Sequence, residues 1–410
     1  MRLAPFWFDA FPKTRRPAYS PYRGASETSV VIVGGGLTGC ACAASFAAAS
    51  VKVVLLEANR IGIGSTAGSP GFLRQGFDAS FAESAGRHGL RAARHLWQSF
   101  RRASLDFAAA LRRLQIRCDL STQDHVHFTR EGEDTARRLR REYQMRRDAG
   151  LEVSWLSGAA LKRDAGVVAD GAIRMHGNAI DPYRACLGLA AAARSRGAAI
   201  FEKSEVRRIR AGRKRVEVRT GAGSITARAV VIATGAPLDD LRALRRHLTP
   251  VEDYAVATAP LAAAVRREVG SRSAAMTDTA NPPHLLRWLK DDRVLFGGAS
   301  QPPAPPRSLD RTLVQRGNEL MYELTTIYPA ISGVQADWAW ASVHHDTPDA
   351  LPLVGLHRNF PRHLFALGDG RHGVAFAWLA ARLLLRQFLG ESARGDELFG
   401  FARILGRGHG

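Results

Sequence analysis

The run Val30-Val31-Ile32-Val33-Gly34-Gly35-Gly36-Leu37-Thr38-Gly39, followed by Val53-Val54-Leu55-Leu56-Glu57, constrains this 410-residue chain more than any other stretch. Two uninterrupted apolar runs read as strands buried on both faces of a parallel sheet. Between them lie a glycine turn and a helix of small residues. Gly34-x-Gly36-x-x-Gly39 lets the backbone turn sharply, lets a pyrophosphate approach the main chain, and lets the helix pack closely on the sheet. The helix start at Leu37 and Thr38 then offers N–H groups and a partial positive charge to phosphate. Glu57 lies eighteen residues beyond Gly39, where a ribose-binding acid is expected, with Ala58 beside it. The motif predicts a nucleotide site without deciding between FAD and NAD.

Bulk properties narrow the class. A chain of this length exceeds one comfortable core and predicts two domains. No apolar run reaches the roughly 18 residues of a membrane span. Met1 to Tyr22 is aromatic and basic without the apolar core of a secretory signal, so export is not expected. Cys40, Cys42, Cys118 and Cys186 show no metal spacing, and reduced thiols in a cytoplasmic protein are the simple reading. The net charge of +20 raises the question of nucleic acid. Its densest cluster, Arg137-Arg138-Leu139-Arg140-Arg141 with Arg146 and Arg147, falls in a helical stretch interleaved with acids and without a stacking platform. A solvated arginine surface is favoured over a nucleic-acid site.

Along the chain, residues 1–28 read as an irregular arm whose aromatics dock on the body. Helical periodicity occupies 84–115 and 131–149, and His125-Val126-His127-Phe128 alternates like a strand. Asp181-Pro182 opens a helix to Arg196. Ala229 to Gly235 and Leu364 to Gly368 are further buried strands. The strands ending at Gly34, Gly235 and Gly368 should share one edge of a parallel sheet, where ligands bind. Such a split arrangement suits FAD better than a compact NAD module.

These residues make the chain resemble the FAD-dependent D-amino-acid oxidase superfamily over about 28–390, in the branch of glycine oxidase, sarcosine oxidase and gamma-glutamylputrescine oxidoreductase. The other matching segments are Gly62-Ile63-Gly64-Ser65-Thr66-Ala67-Gly68, Ile180-Asp181-Pro182, Thr234-Gly235-Ala236, Thr347 to Pro352, and Gly368-Asp369-Gly370-Arg371-His372-Gly373-Val374. The resemblance implies an α/β fold: a Rossmann-type FAD-binding domain with a discontinuous α+β substrate domain built on an antiparallel sheet. Residues 29–83, 150–240 and 338–400 would form the first, and 84–149 with 241–337 the second. It implies that Gly64, Ser65 and Thr66 lie beside the flavin, that the Val206 backbone meets the adenine, and that Arg371, His372, Gly373 and Val374 approach the pyrimidine end. A helix starting there would favour the negative charge that builds on reduction. The implied activity is hydride transfer from the carbon of an amine or amino acid to flavin, followed by imine hydrolysis.

Three positions depart from the sarcosine-oxidase pattern. The flavin-tethering cysteine falls at Ser342, so the FAD is expected to be non-covalent. The carboxylate-binding lysine falls at Ala375. The oxygen-activating lysine falls near Leu295, with Lys290 nearest, which leaves O2 or another electron acceptor open. Arg287 alternates as an inward guanidinium suited to a carboxylate, or as an ordinary outward strand arginine. Arg74 follows the flavin-side loop or simply sits on the surface. Tyr254 lines the pocket or belongs to the core, and His372 stands at the helix start as a catalytic or a packing residue. His344-His345-Asp346 lacks a third ligand and predicts no metal site, with one histidine facing the flavin and the other solvent. His125 and His127 share a strand face and read as structural. A quinone-linked dehydrogenase anchored by the aromatic arm and an RNA-associated flavoprotein are the competing readings.

Overall fold

The computed structural model describes residues 1–77, 79–270 and 272–405. The predicted βαβ unit forms as read: strand Val30–Val33, helix Leu37–Ala48 and strand Val53–Leu56. Both strands are buried throughout, because every residue in them is apolar and has a layer on either face. They sit in a six-stranded sheet ordered Ala199–Phe201, Val53–Leu56, Val30–Val33, Ala229–Gly235, Phe360–Leu367, Leu353–His357. The first five run parallel, so the chain leaves at Gly34, Gly235 and Gly368 along one edge. The last strand is antiparallel. Helix Gly373–Leu389 packs on Leu37–Ala48, whose alanines and cysteines allow the close approach.

A second sheet has nine strands. Its order is Arg2–Leu3, Ala336–Asp346, Thr249–Thr258, Val294–Gln301, Leu285–Trp288, Ala274–Asp278, Asp124–Thr129, Gly171–Met175, Val153–Ser157. Pairing is antiparallel except for Arg2–Leu3 on Ala336–Asp346 and Ala274–Asp278 on Asp124–Thr129. One face carries Val126, Tyr254, Val256, Met276, Leu286 and Phe296 beneath helix Leu309–Ile327. The opposite face turns toward the glycine edge of the first sheet, and the cleft lies between them. Segments 153–175 and 336–346 pair into this sheet, although the expected boundaries put 150–240 and 338–400 with the dinucleotide unit.

The N-terminal arm is ordered, not irregular. Gly24–Glu27 runs parallel to Gly223–Ala227 in a four-stranded sheet with Val206–Ala211 and Val216–Thr220. Phe6 and Trp7 are buried on the short helix Phe6–Ala10, with Trp7 Nε1 donating to Ser69 O at 3.0 Å. Tyr19 and Tyr22 are buried as well, and half-buried Phe8 and Phe11 pack against the core, so the arm's aromatics dock on the body. All four cysteines are buried thiols, and Cys40 and Cys42 do not bond. Among the described residues no helix is long and apolar enough to cross a membrane.

Candidate functional site

The cleft begins at the glycine turn. Gly34 adopts φ +106°, and a Cβ there would fall 2.5 Å from Ala233 O, inside the neighbouring strand end. A Cβ on Gly39 would fall 1.8 Å from Gly34 O, so the third glycine sets helix-to-turn contact and does not itself line the cleft. Gly36 caps helix Leu37–Ala48 without a side-chain acceptor of its own, leaving the first-turn N–H groups beyond Leu37 to a ligand. Thr66 Oγ1 accepts from Leu37 N at 2.8 Å and ties the flavin-side loop to the turn. The Glu57 carboxylate accepts from Gly35 N at 2.6 Å and Asn59 N at 2.8 Å, and still faces the cleft with Ala58. A carboxylate has lone pairs left after two such bonds, so a ribose hydroxyl fits here.

A single cavity of about 870 Å³ extends from this turn across the nine-stranded sheet. Gly34, Gly36, Leu37, Thr38, Glu57, Ala58, Gly64, Ser65, Thr66, Val206, Thr234, Gly235, Arg371, Gly373 and Val374 all line it. Gly368 does not. It turns the chain at φ +68°, with Thr347 Cγ2 where its Cβ would go. The side chain of His372 lies outside the described residues, so its expected role has no placement here. The donor set suits a dinucleotide: a glycine cradle, an uncapped helix start and a ribose acid at one end, and a second helix start at Gly373 at the other.

At that second end Arg371 donates to Asp253 (Nε to Oδ2 at 3.0 Å, Nη2 to Oδ1 at 3.2 Å) and to Ser300 Oγ at 2.8 Å. Buried His344 stands between Asp253 and Asp346, 3.4 Å from each. Burial disfavours its charge, but Asp346 and Asp253 outweigh this and raise its pKa. His344 lines the cleft while His345 does not. No group of residues suited to a metal occurs among the described residues. Ser342 Oγ lies on the same face and donates to Ser65 O at 3.4 Å.

Two expected chemical residues are placed elsewhere. Arg287 does point inward, but it does not line the cleft. Its Nη1 donates to the carbonyls of Pro70 (2.8 Å), Ile180 (3.0 Å) and Gly71 (3.3 Å), and Trp7 covers the guanidinium. Burial pulls its pKa down to about 10, against the pull of Asp181. Tyr254 touches the cleft, but its side chain belongs to the core under helix Leu309–Ile327. Its hydroxyl donates to Glu252 and accepts from Gln301 Nε2 at 2.7 Å. The pocket-facing neighbours are Asp253 and Ala255, one step along the alternation. Arg74 does line the cleft, and donates to Arg371 O at 3.2 Å. Ala375 and Leu295 are buried core residues, and Lys290 pairs with Asp119 at the surface.

The far lobe contains residues read from sequence as structural or solvated. His125 Nε2 and His127 Nδ1 both meet Thr277 Oγ1, at 3.1 and 3.0 Å. The hydroxyl has one proton to give and two lone pairs, so at least one of the two rings donates to it. Burial, then Arg146, lowers the His127 pKa to about 4, and the ring is neutral near pH 7. Arg146 is not on the solvated surface: it is 6% exposed, beside Trp97 and Met175. Its neighbours Arg137, Arg138, Arg140 and Arg141 are exposed as expected. Period 3.6 carried the signal, since Thr135, Leu139, Glu142 and Arg146 form the buried stripe of helix Glu133–Asp148.

Comparison with known proteins agrees with this geometry. The sequence model described as FAD dependent oxidoreductase matches residues 29–387. The chain is 26% identical to a probable oxidoreductase, OrdL, of Haemophilus influenzae, covering 95% of this chain and 89% of the relative. It is 27% identical to gamma-glutamylputrescine oxidoreductase of Escherichia coli, over 92% and 88%. Glycine oxidase of Geobacillus kaustophilus superposes with a TM-score of 0.76 at 23% identity, over 91% of this chain and 98% of that one. With the match spanning both sheets and the dinucleotide cleft, the chain belongs to the FAD-dependent oxidoreductase family of D-amino-acid oxidase type.

Proposed function

We propose that this oxidoreductase removes a hydride from the carbon of a C–N bond in an amine or amino acid, leaving an imine that water hydrolyses. One observation carries the reading: the dinucleotide turn and the inner face of the nine-stranded sheet share one continuous cavity. Gly34, Gly36, Leu37 and Thr38 would hold the pyrophosphate of FAD, Glu57 its ribose and Val206 its adenine. Gly64, Ser65, Thr66, Ser342 and Arg371 to Val374 would hold the flavin ring. When bound, FAD supplies the two-electron acceptor.

The chain's own part is orientation and electrostatics. The helix start at Gly373 presents a partial positive charge, and Asp253 with Ser300 fixes Arg371 beside it. Trp97, Phe77 and Phe72 exclude water from the lobe.

Ser342 carries a hydroxyl, not a thiol, which supports dissociable FAD. No lysine lines the cleft among the described residues, which supports slow reaction with O2 and another acceptor in the cell. The four buried thiols support a reducing compartment such as the cytoplasm.

An anaerobic screen of amines and amino acids, read by bleaching of the flavin band, tests the reading. We expect at least one class to bleach the flavin, and slow recovery in air. Protein that takes up FAD but is reduced by no amine or amino acid overturns it.

A further inference from the structure

We infer that the far lobe is an anion subsite built on Arg146, and that the substrate carries an acidic group several bonds away from the C–N carbon. This rests on the amine-oxidising reading above and specifies its substrate. Arg146 and Glu142 are 6% and 7% exposed, and both belong to helix Glu133–Asp148. Glu142 is saturated: it accepts from Phe81 N at 2.6 Å, Ala82 N at 3.0 Å and Arg146 Nε at 2.6 Å. Arg146 is not. Its ring-side contact is Trp97, 4.3 Å from the guanidinium carbon, and Nη1 meets only Met175 Sδ at 3.7 Å. No stronger acceptor reaches either terminal nitrogen among the described residues, and the residue lines the cavity. A buried guanidinium with an unused donor edge is costly unless a ligand completes it, and a carboxylate matches that edge with two bonds.

Position defines the ligand further. Asp253, which fixes Arg371, is on Thr249–Thr258, and Met175 ends a strand five steps across the sheet. At about 4.8 Å per step the two ends are separated by on the order of 20 Å. The Arg371 end of this span would hold the flavin ring, so the substrate takes the part between the ring and Arg146. A linear molecule with its amine at the ring and a carboxylate at Arg146 fits that part, whereas an acid on the amine-bearing carbon stays beside the ring.

The test has two arms. In the first, FAD-loaded protein turns over ω-amino carboxylates of increasing chain length and length-matched monoamines anaerobically, with excess redox dye as the electron acceptor. We expect the longer acids to exceed both the monoamines and glycine in kcat/KM by about 10- to 100-fold. Arg146→Met should raise KM for the acids far more than it lowers kcat, and remove the preference over monoamines. Arg146→Lys should fall between. Equal reduction of acids and monoamines by the wild type, or glycine as the best substrate, overturns the inference.

The second arm needs no turnover. Calorimetry with straight-chain monocarboxylates from butanoate to octanoate should show binding that weakens about 10-fold or more in Arg146→Met or Arg146→Lys. Thermal melts show which variant is folded. Unchanged carboxylate binding in a folded variant overturns the inference. If no amine bleaches the flavin, the oxidative reading fails, and carboxylate binding still decides the role of Arg146.

Discussion

Arginine is the commonest charged residue in this chain, and side-chain direction decides what each one does. Arg287 illustrates the structural role. Three main-chain carbonyls and the Trp7 ring hold it, and Asp181 lies close enough to support its charge. Removing one partner of a buried charged network leaves the others unsatisfied, at a cost of about 3 kcal/mol or more. Arg287→Met should therefore lower the urea midpoint substantially while the folded fraction keeps its flavin spectrum and substrate KM. A stable variant with a raised KM would show instead that the guanidinium meets substrate. Alternation with Leu286 and Trp288 left Arg287 facing inward or outward, and packing chose inward. Its partners were not legible, because Pro70, Gly71 and Ile180 are more than 100 residues away.

At the scale of elements, the glycine turn and the loop 279–284 behave differently. Gly39→Ala would place a methyl 1.8 Å from Gly34 O, which only backbone movement can relieve. Overpacking of this kind costs roughly 1–3 kcal/mol, so FAD affinity should fall by about 10-fold or more. Titration of apoprotein by flavin fluorescence would measure it, and unchanged affinity would contradict the close-packing role.

His284 closes the loop 279–284 and ties two elements together. Its Nδ1 meets Asp278 Oδ2 at 2.6 Å and its Nε2 meets Glu323 Oε2 at 3.0 Å, on helix Leu309–Ile327. Burial opposes the charged ring, but the two carboxylates prevail and its pKa is raised above 6.5. A histidine raised in the folded state adds stability that is complete below its unfolded pKa and is lost as pH rises through the folded value. Melting temperature should fall as pH climbs from about 6.5 through that value, and His284→Gln should flatten the slope. An identical pH slope in the variant would remove the link.

Across the whole molecule, the arm connects both units. Arg2–Leu3 extends the nine-stranded sheet, Gly24–Glu27 extends the four-stranded one, and Tyr22 N donates to Ser204 Oγ at 2.8 Å beside the dinucleotide strands. Phe6 and Trp7 alone bury enough apolar surface for about 4 kcal/mol. Deleting residues 1–23 should lower the melting temperature by roughly 5 °C or more and make FAD easier to lose, as measured by calorimetry and gel filtration. A truncated protein as stable as the full chain would return the arm to the status of a surface appendage.

Sequence by itself determined the FAD grip. A buried strand, a glycine turn, a small-residue helix and a carboxylate are local patterns, and Gly34 and Gly39 answer to contacts within their own βαβ unit or the adjoining strand. The far end of the cleft was decided only by tertiary structure. Alternation says that Tyr254 and Asp253 face opposite ways, but not which face receives helix Leu309–Ile327 and which the cleft. Helical period groups Arg146 with Leu139 and Glu142, yet an arginine on a buried stripe has meaning only once Trp97, Met175 and His127 arrive from three other segments. Burial makes that guanidinium expensive, and burial is a property of packing between segments that the order of residues does not display.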